Sequence, residues 1–179
     1  MVSSTSVYGQ SQGEWVDEES IAEPDNISSR LIRLAEQRLT ALNPDNIIVR
    51  FSGIYGPGRE YLLRQALQTP AIQQTPPYFT NRIHQQDCVD VLSFLLEQRL
   101  EGRALAQCYL ASDDDPAPTW EVMNWLADHL HCPAPTARDG EVGMNKRCSN
   151  ARLKALGYQF QYPSYKDGYL DLIGSLGKA

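Results

Sequence analysis

Between Asn26 and Leu42 the apolar residues Ile27, Leu31, Leu34, Ala35, Leu39 and Leu42 recur mainly at intervals of three and four, which is the stripe of an amphipathic helix. Asn43-Pro44-Asp45-Asn46 ends it. Ile47-Ile48-Val49-Arg50-Phe51 follows as a short, nearly continuous apolar run, the signature of a strand covered on both faces in a parallel sheet. Ahead of the helix, residues 2–8 are rich in small and β-branched side chains and close on Gly9, which predicts a strand running into a loop. The polar, acidic stretch from Gly9 to Pro24 reads as that loop. Strand, loop, helix and strand make one βαβ unit. The glycine-rich turn from Ser52 to Arg59 then lies at the carboxyl end of its second strand, where open α/β sheets place their ligands.

Downstream the predicted elements are shorter. A helix from about Glu60 to Gln68 precedes a Gln/Thr/Pro loop. The next helix starts at Asp87, which can cap it, with Cys88, Val91, Leu92, Leu95 and Leu96 as its buried stripe. Gln107 to Ala111 reads as a strand, and a helix from about Thr119 to Leu130 turns Val122, Met123, Leu126 and Leu130 inward. A last pair of elements starts near Asn150 and Ser164. Ser164 with Asp167 fits a capping box, and Gly157 fits a helix stop. The pattern changes after about Gly58, from βαβ to mixed helices and short strands, and a soft boundary falls there.

The 179 residues suit one ordinary domain, and with 42% hydrophobic and 21% charged residues the chain is neither disordered, collagenous nor a coiled coil. Sixteen Lys and Arg against 22 Asp and Glu leave a net charge of −6 without a basic stripe, so neither nucleic acid nor an anionic membrane surface is an expected partner. No apolar run approaches the ~18–20 residues that span a bilayer. The first residues lack the basic start and apolar stretch of a signal peptide, and the expected location is the cytoplasm. Cys88, Cys108, Cys132 and Cys148 form no C-x-x-C pair and read as reduced thiols. His129 and His131 beside Cys132 point to different helix faces at i and i+2, so no metal site is expected.

Gly9-Gln10-Ser11-Gln12-Gly13 is a literal G-x-S-x-G, the nucleophile elbow of α/β-hydrolases, with Ser11 as the nucleophile and His129 downstream in the required order. The elbow needs a helix directly after it, yet Glu14-Trp15-Val16-Asp17-Glu18-Glu19 has no helical apolar stripe. The hydrolase therefore stands as an alternative. Neither G-x-G-x-x-G nor G-x-x-x-x-G-K-[ST] occurs, so the chain carries no phosphate cradle of its own.

Val2-Ser3-Ser4-Thr5-Ser6-Val7-Tyr8-Gly9, a helix containing Ala35-Glu36, Val49-Arg50-Phe51-Ser52-Gly53-Ile54-Tyr55-Gly56-Pro57-Gly58-Arg59, Arg82-Ile83-His84-Gln85-Gln86-Asp87 and Leu156-Gly157-Tyr158 together resemble the NAD-dependent epimerase/dehydratase group of extended short-chain dehydrogenases/reductases. The resemblance covers nearly the whole chain. It implies an α/β fold: the C-terminal half of a Rossmann-type parallel sheet, with a partial strand-helix-strand segment at residues 1–58 and a small mixed α/β substrate-binding subdomain at residues 59–179. The implied activity is NAD(P)-dependent epimerase, dehydratase or reductase chemistry on a sugar or nucleotide-sugar-like small molecule, with NAD or NADP as cofactor and a homodimer left open.

In such enzymes a Ser/Thr, a Tyr and a Lys four residues later move a proton, the Lys charge and the cofactor lowering the Tyr pKa. By resemblance Ser4 takes the Ser/Thr position. Counting back from Glu36 puts the Tyr position on Ser28 and the Lys position on Ile32, so this sequence is similar to atypical members that lack the pair. Tyr8 or Tyr55 is then the candidate substitute acid. Ser52, Gly53, Ile54 and Tyr55 match the turn that borders nicotinamide and substrate. Arg59 and Arg82 are candidates to clamp a diphosphate, since guanidinium binds phosphate bidentately, and His84 and Asp87 sit at the mouth of the same cleft by analogy. A silent nucleotide- or metabolite-sensing protein of the same fold is the second alternative.

The first crossover of such a fold, with its glycine-rich loop and neighbouring strands, has no counterpart in this sequence. At roughly 30 residues for each of three βα units, the sequence falls short of the complete fold by about 90–110 residues, and the chain alone is not expected to hold the dinucleotide. A central strand left as an edge is a template for pairing with another copy. The 179-residue chain is therefore expected to self-associate in size-exclusion chromatography, and a stable monomer would count against the missing neighbours.

Overall fold

The structure is a computed structural model and describes residues 1–140 and 143–176. Its first half runs through β1 (Val2–Ser4), a 3-10 turn (Thr5–Val7), β2 (Glu14–Val16), α1 (Ile27–Leu42), β3 (Ile48–Phe51), β4 (Gly53–Tyr55), α2 (Tyr61–Ala66), β5 (Ala71–Thr75), β6 (Phe79–Thr80) and β7 (Arg82–His84). The second half adds α3 (Gln85–Leu100), β8 (Cys108–Ala111), β9 (Ala117–Pro118), α4 (Thr119–His129), β10 (Thr136–Asp139), β11 (Lys146–Cys148), α5 (Ala151–Leu156) and α6 (Tyr165–Leu176). No described helix is long and apolar enough to cross a membrane.

β1, β3 and β8 form a parallel sheet in that order, with Val2 opposite Val49, Ser4 opposite Phe51, and Phe51 opposite Ala111. Every residue of β3 is buried, as its apolar run predicts. Val49, Phe51, Tyr109 and Ala111 pack on one side with Val91 and Leu95 of α3 and Leu153 of α5. On the other side Leu110 meets Val7, Tyr8, Val16 and Cys148, with Ile32 of α1 beside them. β1 pairs only with β3 among the described residues and forms the edge of this sheet. β8 and α3 come from beyond Gly58, so the two parts of the chain interleave in this layer. A second core gathers α2, α4 and α6 around Tyr55, Leu63, Met123, Leu126, Tyr165 and Tyr169.

Several elements differ from the sequence reading. The predicted strand over residues 2–8 stops at Ser4, because the Ser4 hydroxyl accepts from the Ser6 amide at 3.1 Å and starts the 3-10 turn. The loop from Gly9 to Pro24 contains β2, and the loop after Gln68 contains β5. Their partners are β11 and β10, 132 and 65 residues further on by first residue, and such distant pairing leaves no local periodic signal. Helix α3 begins at Gln85, capped by Nδ1 of His84, which accepts from the Gln86 amide at 3.2 Å. Asp87 therefore lies in its first turn, fully buried, with its carboxylate accepting from the Gln161 and Tyr162 amides and the Tyr158 hydroxyl. The cap of α6 is as read: the Asp167 carboxylate takes both the amide and the hydroxyl of Ser164.

Helix α1 has the predicted length and stripe, but its apolar row faces outward. Ile27 is 76% and Leu31 61% exposed, whereas the side turned to the sheet carries Ser29 and Glu36. The cause lies on β3, where Arg50 interrupts the apolar run and points toward α1. Its Nε donates to Oε1 of Glu36 at 2.9 Å and its Nη2 to Oε2 at 2.7 Å, a bidentate pair. Ser3 donates to Oε1 at 2.5 Å and Arg33 to Oε2 at 2.9 Å. The remaining nitrogen of Arg50, Nη1, donates to the Tyr8 hydroxyl at 2.7 Å, and that hydroxyl donates to the Asp17 carbonyl at 2.7 Å. One buried network thus ties β1, the 3-10 turn, α1 and β3 together.

Burial opposes ionisation of Glu36, but the hydrogen bonds from Arg50 and Ser3 and the Arg50 charge outweigh it and hold the carboxyl below its ordinary value. Such a group contributes stability above its unfolded pKa of ~4.3, and this is lost as pH falls through the lower folded value. Glu36→Ala should cost about 3–5 kcal/mol, because it strands the Arg50 charge in the interior. Glu36→Gln should cost less and flatten the acid side of the stability curve. Urea denaturation followed by circular dichroism between neutral and acid pH checks both; parallel curves for wild type and Glu36→Gln would contradict the ionised pair.

Candidate functional site

Each strand of the parallel sheet runs into a serine at its carboxyl end: Ser4 closes β1, Ser52 follows β3 and Ser112 follows β8. The register sets Ser4 opposite Phe51, and Ser52 and Ser112 each follow directly on the paired Phe51 and Ala111. The Ser52 amide donates to the Ala111 carbonyl at 3.0 Å, the last bond holding this segment to the sheet. From Gly53 onward the chain changes partner, and β4 pairs with β7 through Gly53 and Arg82, Ile54 and Ile83, and Tyr55 and His84. A change of partner at the carboxyl end of a parallel sheet opens a crevice. Two cavities lie there.

The first, about 380 Å³, is lined by Ser4, Ser6, Ser52, Gly53, Asn81 and Lys146, among others. The second, about 210 Å³, is lined by Gly53, Ile54, Tyr55, Arg59, Arg82 and Tyr169, and it shares Gly53, Thr80 and Asn81 with the first. Seven of the nine sequence-derived site residues, Ser4 among them, thus line one cavity or the other, with Gly53 common to both. Tyr8 and His84 line neither. The hydroxyl of Ser52 is buried without a hydrogen-bond partner. Ser4 is half-buried, and because its oxygen accepts from Ser6 its own O–H remains to donate.

The two tyrosines differ in their surroundings. Tyr8 is fully buried, and its hydroxyl already donates to Asp17 and accepts from Arg50. Burial pushes its pKa well above the ordinary value, with Arg50 only partly opposing. It therefore serves as a bracket between β3 and the loop before α1 and has no proton to offer the cavity. Tyr55 is buried between His84 and Tyr169, with ring centroids at 5.3 Å and 4.7 Å, and its hydroxyl has no partner. Burial raises its pKa as well, and Asp113 adds to the rise.

Of the two arginines, Arg59 is exposed at the rim of the second cavity and free of ion pairs among the described residues. Arg82 is buried and already committed: its Nη1 donates to the Thr80 hydroxyl at 2.6 Å, its Nη2 reaches the carbonyls of Thr80 and Asp115, and its guanidinium stacks over Tyr165 at 4.9 Å. His84 is buried against Tyr55 and Tyr162, with Nδ1 used in the α3 cap and Nε2 unpartnered. Burial lowers its pKa, so the ring is neutral at neutral pH. Ser28 lies exposed on α1 and Ile32 packs against the apolar cluster of Val7 and Tyr8, so neither supplies an acid at the cavity. Ser11 sits in a loop that leads into β2 rather than into a helix, and the elbow geometry is absent.

Sequence reasoning missed Lys146 and Asp113. Lys146 belongs to β11, which carries no periodic signal, and Asp113 belongs to an Asp-Asp-Asp run that reads as a solvated turn. In the structure Asp113 is almost wholly buried, with Oδ2 4.0 Å from Nε of Arg82 and neither atom hydrogen-bonded. Burial pushes its carboxyl up to about 8, and the Arg82 charge offsets only part of that. Cys88 and Cys148 are buried thiols, each pushed up to about 12 by burial, which makes them poor nucleophiles.

No family model matches the chain. Among curated proteins it is 29% identical over 168 residues to Protein YeeZ of Escherichia coli (strain K12), a stretch that covers 90% of this chain and 57% of that protein. Among solved structures, a protein of Methylobacillus flagellatus designated an NAD-dependent epimerase/dehydratase is 38% identical, with a TM-score of 0.85, over 98% of this chain and 63% of that one. A dTDP-glucose 4,6-dehydratase of Streptomyces venezuelae with NAD and TYD bound shares the fold, at 18% identity and a TM-score of 0.77, over 99% of this chain and 59% of that one. The chain thus has the Rossmann-type α/β fold of NAD-dependent epimerases/dehydratases and extended short-chain dehydrogenases/reductases, and it spans about 60% of the length of the proteins it matches.

Asp113 gives a pH signature. With a folded pKa near 8 and an ordinary unfolded value near ~3.9, the folded state keeps a proton that the unfolded state releases, so stability falls as pH rises between the two. Asp113→Asn removes this loss. Its melting temperature relative to wild type should climb between about pH 5 and about pH 8.5; a difference independent of pH would show that the buried carboxyl ionises normally.

Proposed function

We propose that the chain is the catalytic and substrate-binding portion of a nicotinamide-dinucleotide-linked enzyme that epimerises, dehydrates or reduces a sugar or nucleotide-sugar-like small molecule in the cytoplasm. The observation that carries this reading is the cavity at the carboxyl ends of the sheet, where Ser4 and the unpartnered, buried Ser52 hydroxyl converge. The 38% identity to a protein designated an NAD-dependent epimerase/dehydratase supports the same class. In this reading β1, α1, β3, β8 and α3 belong to the Rossmann part, and the elements around α2, α4 and α6 form the substrate subdomain.

The residues present fit one end of the cofactor. A buried hydroxyl with no partner at Ser52, next to an exposed Gly53 and the cavity itself, suits a polar carboxamide such as that of nicotinamide. For the diphosphate the sequence has no glycine-rich cradle. Nicotinamide, when bound, would take up or supply a hydride. Ser4 would donate its hydroxyl proton to a substrate oxygen, and Ile54 and Tyr55 would wall the neighbouring cavity. Arg59 would bind an anionic substituent such as a phosphate at the rim, where its fork can be bidentate. Arg82 and His84 would shape the wall without touching the ligand.

A second reading, a nucleotide- or metabolite-sensing protein without turnover, is favoured by one observation: no phenol or ammonium stands at Ser28 or Ile32. Titration calorimetry with NAD and NADP on the 179-residue chain and on a version extended upstream separates the two readings when paired with a sugar-nucleotide panel. The extended form should bind and turn over, and Ser4→Ala should reduce kcat about 100-fold with dinucleotide affinity unchanged. Binding without turnover across the panel would favour the sensor, and no binding by either form would overturn both.

A further inference from the structure

Lys146 opens β11 opposite Glu14 of β2, and it is 7% exposed. Its Nζ donates to the Tyr8 carbonyl at 3.0 Å, and no carboxylate lies within ion-pairing distance of it among the described residues. An ammonium has three donors, and this one has spent a single one. It lines the same cavity as Ser4 and Ser52. Ser52 brings a second, independent sign of an absent ligand there, a side-chain oxygen buried more than nine-tenths with no partner. A desolvated lysine without a counterion shifts toward the neutral amine. Burial lowers its pKa, while Cys148 on its own strand, Asp25 in the loop before α1 and Glu14 on β2 favour the proton without overcoming burial.

We propose that Lys146 Nζ is the proton-transfer group of the Ser4–Ser52 cavity, acting on a hydroxyl of a polyhydroxylated, sugar-like substrate. The proposal rests on the enzymatic reading above and fills the role left open by Ser28 and Ile32. In the forward step the substrate O–H bond breaks and its proton forms a new N–H bond on the neutral amine. The electron pair stays on the substrate oxygen as an alkoxide, which accepts a hydrogen bond from the Ser4 hydroxyl. In the reverse step the ammonium returns the proton. An amine whose pKa is depressed by burial gives up its proton more readily than an ordinary lysine, which suits a group that must take a proton and return it. The Tyr8 carbonyl fixes one N–H direction and leaves the other positions of Nζ to face the cavity.

The chain has four lysines, Lys146, Lys154, Lys166 and Lys178, so trace acetylation of the folded 179-residue chain with acetic anhydride, read by peptide mass spectrometry, resolves each. Followed from about pH 6 to about pH 11, Lys146 should acetylate with a midpoint below the ordinary lysine value of ~10.4. This readout needs neither cofactor nor substrate, so it can fail or succeed apart from the enzymatic reading. In the extended, active protein Lys146→Met should lower kcat about 100-fold or more while leaving the dinucleotide Kd and the circular dichroism spectrum unchanged. The proposal is overturned if Lys146 acetylates only after unfolding, if its midpoint is not below the ordinary lysine value, or if Lys146→Met keeps kcat; any of these makes it a lysine that simply caps the Tyr8 carbonyl.

Discussion

The bidentate pair of Arg50 and Glu36 is the constraint on which the rest of the layer depends. Two full charges sit in an interior that would penalise either alone by several kcal/mol, and together they decide which face of α1 meets the sheet. The apolar row of that helix would ordinarily choose the inward side. Here the inward side belongs to Glu36, because among the described residues Arg50 pairs with no other carboxylate, and Ile27, Leu31 and Leu42 are left to the outside. The pair also reaches beyond the helix: Ser3 on β1 and Tyr8 after the 3-10 turn both complete their hydrogen bonds on it. Direction comes from these bonds, since apolar packing alone is compatible with many helix rotations.

A second constraint acts where β3 becomes β4. Ser52 keeps its amide on the central sheet while the next residue turns to β7, and that divergence creates the space between the two small sheets. The space stays open because the groups beneath it are polar and immobile. Arg82 is pinned by Thr80, Asp115 and the Tyr165 ring, and the neighbouring Asp113 lies 4.0 Å from its Nε without a hydrogen bond. Five side-chain polar atoms in this region lack partners, on Ser52, Tyr55, Arg82, His84 and Asp113. Such a concentration is costly in a plain core, where nearly every buried polar group has a partner.

What was legible in the sequence follows from how local the cause was. Helices α1 and α4, strands β3 and β8, the αL stop at Gly157 and the Ser164 cap all rest on neighbours within a few residues, and they lie within a residue or two of their expected bounds. The glycine-rich turn could be placed at a ligand crevice because strand direction and loop chemistry are both written locally. The orientation of α1 could not be, since it depends on an arginine 14 residues beyond Glu36 that breaks an otherwise apolar run. Strands β2, β5, β10 and β11 pair across long separations and carry three to five residues each, too few for a period to register. Lys146 escaped notice for the same reason: a lone lysine in a short polar stretch reads as surface until β11 is laid against β2. Arg82 lines the second cavity and His84 lines neither, and the burial of both, which decides what they can do, is a property of α6 and the loop before it.

Tyr8 links these threads. Its ring and hydroxyl belong to the Arg50 network, while its carbonyl receives Nζ of Lys146. One residue therefore couples the buried Arg50 network to the amine in the cavity. The hydroxyl is fixed from two sides, by Arg50 and by the Asp17 carbonyl, so the backbone that carries the acceptor for Lys146 has little freedom to drift. A buried amine is useful to chemistry only if its remaining donors point in a constant direction, and an unpaired lysine on a loop would meet that condition poorly. Here direction is inherited from a charge pair on the other side of Tyr8, and the polar interior that sets the rotation of α1 also fixes the geometry of the cavity at the end of the sheet.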